Sequence, residues 1–430
     1  MRTVTDAFNF YEGNDPRELV EKFGSPLYVY NERIFRERTR DMLGLSKYPN
    51  FAVNYAIKAN TNLTLLRIAR EEGCLADVSS AGEIVAAMAA GFAPEHMLFV
   101  VNNVSEEELR FAAEKGITIS VDSLSQLDRL GKVCPGGRIA LRFNPGVGGG
   151  HHEKVVTGGD GTKFGIMPQY LPQVHELLAK HNLTLIGINH HIGSQNWGDL
   201  YLGGVGALLN LAKQFDTLEF IDLGGGFAIP YHKQDGEKPL DLAAVGAELD
   251  THLFAFAENC GKEIRFMIEP GRYMAAECGV LLGTVQATKT NGEIHYAGTD
   301  LGFSVMKRPT LYDSHHDIEI YNRVQANGTP ASTSKPCSAA ELSARPMRAV
   351  NIVGNQCESG DYIARDRKLP QLIEGDVLGV LDSGAYGYAM ACQYNHRPRP
   401  AEILLQPGGT PKLIRRRETY EDIIANMAGL

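Results

Sequence analysis

Tyr55-Ala56-Ile57-Lys58-Ala59-Asn60 closes a short apolar and aromatic run, Phe51 to Ile57, and leads into Leu63, Leu65, Leu66, Ile68 and Ala69 at helical spacing. A strand, a tight turn and a helix follow one another there, and Lys58 falls at or just past the strand's C-terminal end. The same unit recurs downstream. Short apolar runs at 51–57, 75–79, 97–101, 117–121, 138–143, 184–190, 218–223 and 264–269 alternate with amphipathic segments. Several of those segments open on capping pairs: Ser80 with Glu83, Ser105 with Glu108, Ser123 with Gln126. Eight strands with helical crossovers predict an α/β protein built on a (β/α)8 TIM-type barrel, whose closure leaves no exposed sheet edge. An open doubly wound sheet would carry a Gly-rich turn after its first strand, where this chain has Ile-Lys-Ala-Asn.

The pattern changes after residue 275. Val280 to Thr288, Ile294 to Gly298, Ala349 to Val353, Val377 to Leu381 and Ile403 to Leu405 read as strands separated by turns, with few long helices. The expected organisation is a barrel over residues 29–280 and a mostly β domain, sandwich or barrel, made of residues 281–430 together with 1–28. Pro26 to Tyr30 is a candidate strand for that second domain. The Ser-, Thr-, Ala- and Pro-rich run 327–346 reads as a surface loop within it.

Composition narrows the function classes. A chain of 430 residues with 43% hydrophobic and 22% charged residues has the makings of a sizeable core and more than one domain. A net charge of −9 argues against non-specific nucleic-acid binding. No run is apolar and long enough to span a membrane, and Met1 to Asp6 lacks a signal-like apolar stretch. Seven cysteines are scattered without a CxxC pair or a Cys/His cluster, which predicts a reduced, cytoplasmic protein with no metal site. His315-His316 is not read as a metal site either, although Asp313 and Asp317 flank the pair, because no cysteine accompanies it.

Barrel enzymes place their chemistry at the C-terminal strand ends, and there the sequence is distinctive. Lys58 follows the first strand, His190-His191-Ile192-Gly193-Ser194 the sixth, Gly224-Gly225-Gly226 the seventh and Glu269-Pro270-Gly271-Arg272 the eighth. Three glycines expose backbone N–H groups with no Cβ in the way, as phosphate binding requires, and barrels commonly hold phosphate on the last two loops. A lysine can form a Schiff base with a carbonyl cofactor, an imidazole can stack on a flat ring, and a carboxylate can keep a pyridine nitrogen protonated. Each residue alone has an ordinary structural explanation. Together, at one end of one barrel, they point to pyridoxal 5'-phosphate.

The chain resembles the fold-type III pyridoxal-phosphate decarboxylases, and among them the diaminopimelate decarboxylases, over nearly its whole length. The resemblance runs through Tyr55 to Asn60, Asp77 to Glu83, Arg142 to Gly146, His191 to Ser194, Gly224 to Gly226 and Glu269 to Arg272. These clusters specify cofactor and fold. The resemblance continues through Arg308-Pro309-Thr310-Leu311-Tyr312, Cys357-Glu358-Ser359-Gly360-Asp361 and Gly384-Ala385-Tyr386-Gly387, and the first two of these segments discriminate the substrate. The resemblance implies that Lys58 carries the cofactor, His191 stacks on its ring, and Ser194 with Gly224, Gly225 and Gly226 holds its phosphate. Glu269, in the loop with Pro270, Gly271 and Arg272, would hold the pyridinium, and Tyr386 would complete the pocket. Arg272, Arg308 and Tyr312 would bind the distal carboxylate of meso-diaminopimelate, and Glu358 its distal ammonium. Cys357 would be the proton donor, reaching with Glu358 into the site of a second copy, so that the active form is a homodimer with shared sites.

Competing activities differ in what they require. Decarboxylases of D-ornithine, D-lysine or arginine act on substrates without a distal carboxylate, which leaves Arg308 and Tyr312 without a purpose. A racemase has no need of Cys357-Glu358. A non-catalytic pyridoxal-phosphate-binding regulator would have no reason to keep both Lys58 and Cys357.

Overall fold

The first strand of the chain, β1 (Leu27–Asn31), lies outside the barrel. The eight apolar runs that follow it become β2 (Phe51–Ala56), β3 (Leu75–Val78), β4 (Met97–Val100), β5 (Thr118–Val121), β6 (Arg138–Arg142), β7 (Thr184–Asn189), β8 (Phe220–Asp222) and β9 (Arg265–Ile268). They pair in parallel, in chain order, and close on themselves through Phe51, Ala52 and Val53 of β2 opposite Phe266, Met267 and Ile268 of β9. The computed structural model describes residues 3–146, 148, 156–159, 161–195, 197–321 and 345–428. Most of the 327–346 run lies outside the described residues. The chain divides into two units, Arg36–Ile229 with Pro239–Met274, and Met1–Phe35 with Pro230–Lys238 and Ala275–Leu430.

The barrel is filled by Leu98, Val100, Ala140 and Met267, with Ala52, Leu75 and Phe220 packed against them. Phe220 can lie across the barrel because Gly187 offers no Cβ; one built there would sit 2.0 Å from the ring. Toward the C-terminal strand ends the interior turns polar, and Asn54, Asp77, Asn189 and Asp222 are all buried. Buried polar groups need partners: Ser120 donates to Asn189 at 2.6 Å and Asn54 to Asp222 at 2.8 Å. The capping pairs start their helices in different ways. Ser105 and Glu108 form the reciprocal box, Ser80 caps Glu83 while the Glu83 carboxylate takes the N–H of Ser79, and Ser123 caps Gln126.

In the second unit β1 is interior to a sheet of nine strands among the described residues. It pairs antiparallel with β10 (Gly279–Asn291), while β11 (Ile294–Thr299), β12 (Ile318–Tyr321), β13 (Met347–Val353), β14 (Tyr362–Pro370) and β15 (Val377–Val380) lie further along the chain. On its other side β1 runs parallel to β16 (Ala401–Leu405), which pairs with β17 (Pro411–Arg415). The path runs β14-β13-β11-β10-β1-β16-β17, with β15 on β10 and β12 on β15. Its nearly all-apolar sequence, Leu-Tyr-Val-Tyr, suits β1 to a place with a neighbour on both sides, and every residue of it is buried. The N-terminal segment is tied to the same sheet at a buried carboxylate: the N–H of Thr5 donates to Glu319 at 3.1 Å, and Tyr321 donates to Glu319 at 2.8 Å.

Candidate active site

Where β2 ends, Ile57–Ala59 makes a single 3₁₀ turn that turns Lys58 out of the strand. Its ammonium donates to Asp77 of β3 at 2.7 Å. Asp77 is fully buried whereas the lysine side chain is 39% exposed, so the amine sits at the rim with its charge balanced from below. The Glu-Pro-Gly-Arg turn after β9 is stitched to this strand, because the carbonyl of Pro270 accepts the N–H of Ala56 at 3.1 Å.

The triple glycine is required by close backbone approach. A Cβ on Gly224 would stand 2.3 Å from the carbonyl oxygen of His190, and one on Gly225 would stand 2.0 Å from that of Glu269. Gly224 and Gly226 also adopt positive φ, +67° and +102°. The turn is anchored at its start by Asp222, which accepts the N–H of Gly224 at 2.9 Å.

His191 accepts the N–H of Gly225 on Nδ1 at 3.1 Å. That bond assigns the proton of the neutral ring to Nε2. Burial, with Lys58 and Arg142 adding repulsion, pushes the His191 pKa well below the usual imidazole range. The 4.0 Å approach of Nδ1 to Glu269 Oε2 is therefore no ion pair, because Nδ1 is occupied as an acceptor and the ring is uncharged. His190 beside it is pushed down to about 4 by burial, with Nε2 2.9 Å from the carbonyl of Leu223.

Glu269 is 4% exposed, and its Oε1 meets no hydrogen-bond partner among the described residues. Burial first, then Asp222 and Asp77, raise its pKa well above the carboxylate range, against the pull of Lys58 and Arg142. Such a carboxyl is poised to share a proton with a buried ring nitrogen. Arg272 reaches across to Ser194, donating from Nη2 at 2.7 Å and Nε at 3.2 Å. These two bonds join the loops after β7 and β9.

Of the sequence-predicted residues, Lys58, His191, Ser194, Gly224 to Gly226 and Glu269 to Arg272 are borne by the loops at the C-terminal ends of β2, β7, β8 and β9. Arg142, Asp77, Asp222 and Asn54 are also part of this end, and sequence reasoning gave none of them a role. Arg142 ends β6 with its guanidinium over Phe164, 4.6 Å from the ring centre, and 3.5 Å from the carbonyl of His191. Its position in the quoted Arg142 to Gly146 cluster was the available signal.

The remaining residues belong to the second unit. Arg308 opens a short helix, Arg308–Tyr312, and is only 1% exposed. Its Nη1 donates to the Tyr231 hydroxyl at 2.6 Å and its Nη2 to Ser314 at 3.2 Å. Cys357 and Glu358 are exposed on a loop pinned at its base. Asp361 accepts the N–H groups of Phe303 at 2.6 Å and Gln356 at 2.8 Å, and Asn395 accepts that of Cys357 at 2.8 Å. Thr310 ties the Arg308 helix to this loop through the carbonyl of Gly360 at 3.0 Å. Tyr386 holds φ at +57°, a conformation that costs an aromatic residue about 1–3 kcal/mol and that tends to persist at functional positions.

A rim lysine, a neutral imidazole face, a glycine cradle and a buried unpartnered carboxyl define the barrel end of a pyridoxal-dependent enzyme. Comparison with known proteins agrees. Residues 34–276 match the family model for the pyridoxal binding domain of the pyridoxal-dependent decarboxylases. A diaminopimelate decarboxylase of Methanothermobacter thermautotrophicus is 40% identical over 423 residues, covering 96% of this chain and 94% of the relative. That of Escherichia coli K12 is 35% identical over 420 residues, covering 95% and 94%. A crystal structure of diaminopimelate decarboxylase superposes with a TM-score of 0.84 at 34% identity, covering 95% of both chains. The Helicobacter pylori enzyme complexed with L-lysine gives 0.82 at 28% identity, covering 95% of this chain and 98% of the other. The chain belongs to the diaminopimelate decarboxylase family.

Proposed function

We propose that the protein removes one carboxylate of meso-diaminopimelate, releasing carbon dioxide and L-lysine, with pyridoxal 5'-phosphate as cofactor. The buried unpartnered Oε1 of Glu269, the neutral face of His191 and the steric cradle of Gly224 and Gly225 fit that cofactor. Lys58 would hold its aldehyde, Ser194 and the glycine N–H groups its phosphate, and Glu269 its ring nitrogen. When bound, the cofactor supplies an electron sink for the pair left behind as carbon dioxide departs.

The protein's own groups do the rest. Glu269, with its raised pKa, holds a proton at the ring nitrogen's side of the site. Asp77 would keep the Lys58 amine near its place once a substrate amine took over the cofactor's aldehyde. Arg272, Arg308 and Tyr312 bind the distal carboxylate, and Glu358 the distal ammonium, so that the reacting end is oriented by the end that does not react. Cys357 delivers the proton that replaces the lost carboxylate, and Tyr386 closes the pocket. The exposure of Cys357 and Glu358 on a firmly based loop supports their service in the site of a second copy, and hence a homodimer. The six described cysteines are all free thiols, in keeping with a cytoplasmic location.

The observation that carries the substrate reading is the buried Arg308, a fixed planar fork suited to a second carboxylate. Release of carbon dioxide by purified holoenzyme from meso-diaminopimelate, D-ornithine, D-lysine and arginine tests it. Turnover of diaminopimelate alone is expected, and turnover of ornithine without diaminopimelate refutes the reading.

A further inference from the structure

Arg308 is a long side chain with four rotatable torsions, and burial alone does not fix where its fork points. In the second unit the fork rests on Tyr231. The guanidinium carbon lies 4.8 Å from the Tyr231 ring centre, and Nη1 donates to the Tyr231 hydroxyl at 2.6 Å. A cation over a ring face and a charge-assisted hydrogen bond to the same residue fix both tilt and rotation. Ser314 receives the other terminal nitrogen at 3.2 Å.

Tyr231 is itself immobilised. It is 7% exposed, and His316 meets its ring edge-on at 5.1 Å and 74°. The His316 ring is held in turn, with Nδ1 2.7 Å from the carbonyl of Leu381. The second half of the His315-His316 pair thus acts as a wall behind the tyrosine. His315 faces elsewhere, stacked on His232 at 3.7 Å and 3.0 Å from Asp317.

We infer that Tyr231 is a positioning residue for substrate selection: it sets the orientation of the Arg308 fork and so the recognition of a distal carboxylate. The inference rests on the assignment of Arg308 to that carboxylate. Removing the hydroxyl leaves the ring, the wall and the arginine in place but takes away the bond that sets the fork's rotation. Affinity for ligands with a distal carboxylate should fall, while affinity for those without one should not.

The test uses holoenzyme and two 1,5-diamines, L-lysine, which keeps the distal carboxylate, and cadaverine, which has none. Tyr231→Phe should weaken L-lysine binding about tenfold and leave cadaverine within about twofold, measured by calorimetry and by the cofactor's absorbance. The KM for diaminopimelate should rise more than kcat falls. Ser314→Ala should act in the same direction more weakly. Equal weakening of both ligands in Tyr231→Phe, or no change in either, overturns the inference while the wild type still prefers L-lysine. A wild type that binds both equally and leaves diaminopimelate unreacted overturns the Arg308 assignment, and this inference with it.

Discussion

Asp222 accepts the N–H of Gly224 on one carboxylate oxygen at 2.9 Å, and the side chain of Asn54 donates to the other at 2.8 Å. The buried core of the barrel is thereby bonded to the first residue of the triple-glycine turn. Burial pushes the Asp222 carboxyl up to about 7. A carboxyl whose pKa is raised in the fold favours the native state fully below its unfolded value of about 4, and that contribution is lost as pH rises through about 7. The melting temperature of the cofactor-free protein should therefore carry a downward slope between those limits. In Asp222→Asn that slope should flatten, as differential scanning fluorimetry across the range would show.

Gly225→Ala places a Cβ 2.0 Å from a backbone oxygen, that of Glu269, which has no rotamer by which to retreat. We expect a loss of stability of about 1–3 kcal/mol and weakened cofactor binding, checked by denaturant titration and by equilibrium dialysis against pyridoxal phosphate.

Lys58→Ala should abolish turnover and the visible band of the lysine-bound cofactor. It also leaves Asp77 buried without its cation, at a cost of about 1–3 kcal/mol. Thermal melts of the cofactor-free protein would register that cost independently of activity.

Glu269→Gln keeps the shape of the side chain but loses the proton-sharing carboxyl. Electrostatic groups of this kind are worth about 10²–10³ in rate. A fall of that size in kcat, with cofactor still bound and its absorbance shifted, is expected from steady-state assay and spectroscopy.

Cys357→Ala should bind cofactor and substrate yet decarboxylate poorly. Mixed with Lys58→Ala under exchange, it should recover about a quarter of wild-type activity, since half of randomly paired dimers are hybrids with one intact site of two. Failure of two inactive chains to complement, with exchange verified by mass, would locate each site within one copy.

The eight barrel strands were all legible in the chain because each is a short apolar run set off by turns and amphipathic segments, several of which open on a side-chain cap. Three strands of the second unit were not. Tyr362–Pro370 carries Arg365, Asp366, Arg367 and Lys368, and Pro411–Arg415 opens on proline and ends on charge. Both lie at the ends of the sheet path, where one side has no strand neighbour among the described residues and polar residues are tolerated. Ile318–Tyr321 is only four residues long and carries Glu319, a charge that its sequence neighbours do not explain. Tyr30 is a similar case: its hydroxyl finds Glu402, far along the chain, at 2.8 Å.

The sequence alone determined which residue types stand at each strand end, since the alternation of apolar runs and caps is a local property of the chain. That was enough to single out Lys58, His191, the glycine turn and Glu269 as candidates, since the chemistry proposed for them is carried by type and position. Only the tertiary structure decided the charge states and the supports. His191 is neutral because it is buried beside Lys58 and Arg142, with Gly225 setting its tautomer; whether Glu269 keeps its proton depends on burial, then on Asp222 and Asp77; and where the Arg308 fork points depends on Tyr231. These dependences join residues up to 192 positions apart, Asp77 with Glu269, and burial and Coulomb interaction follow distance in space, which no local pattern encodes.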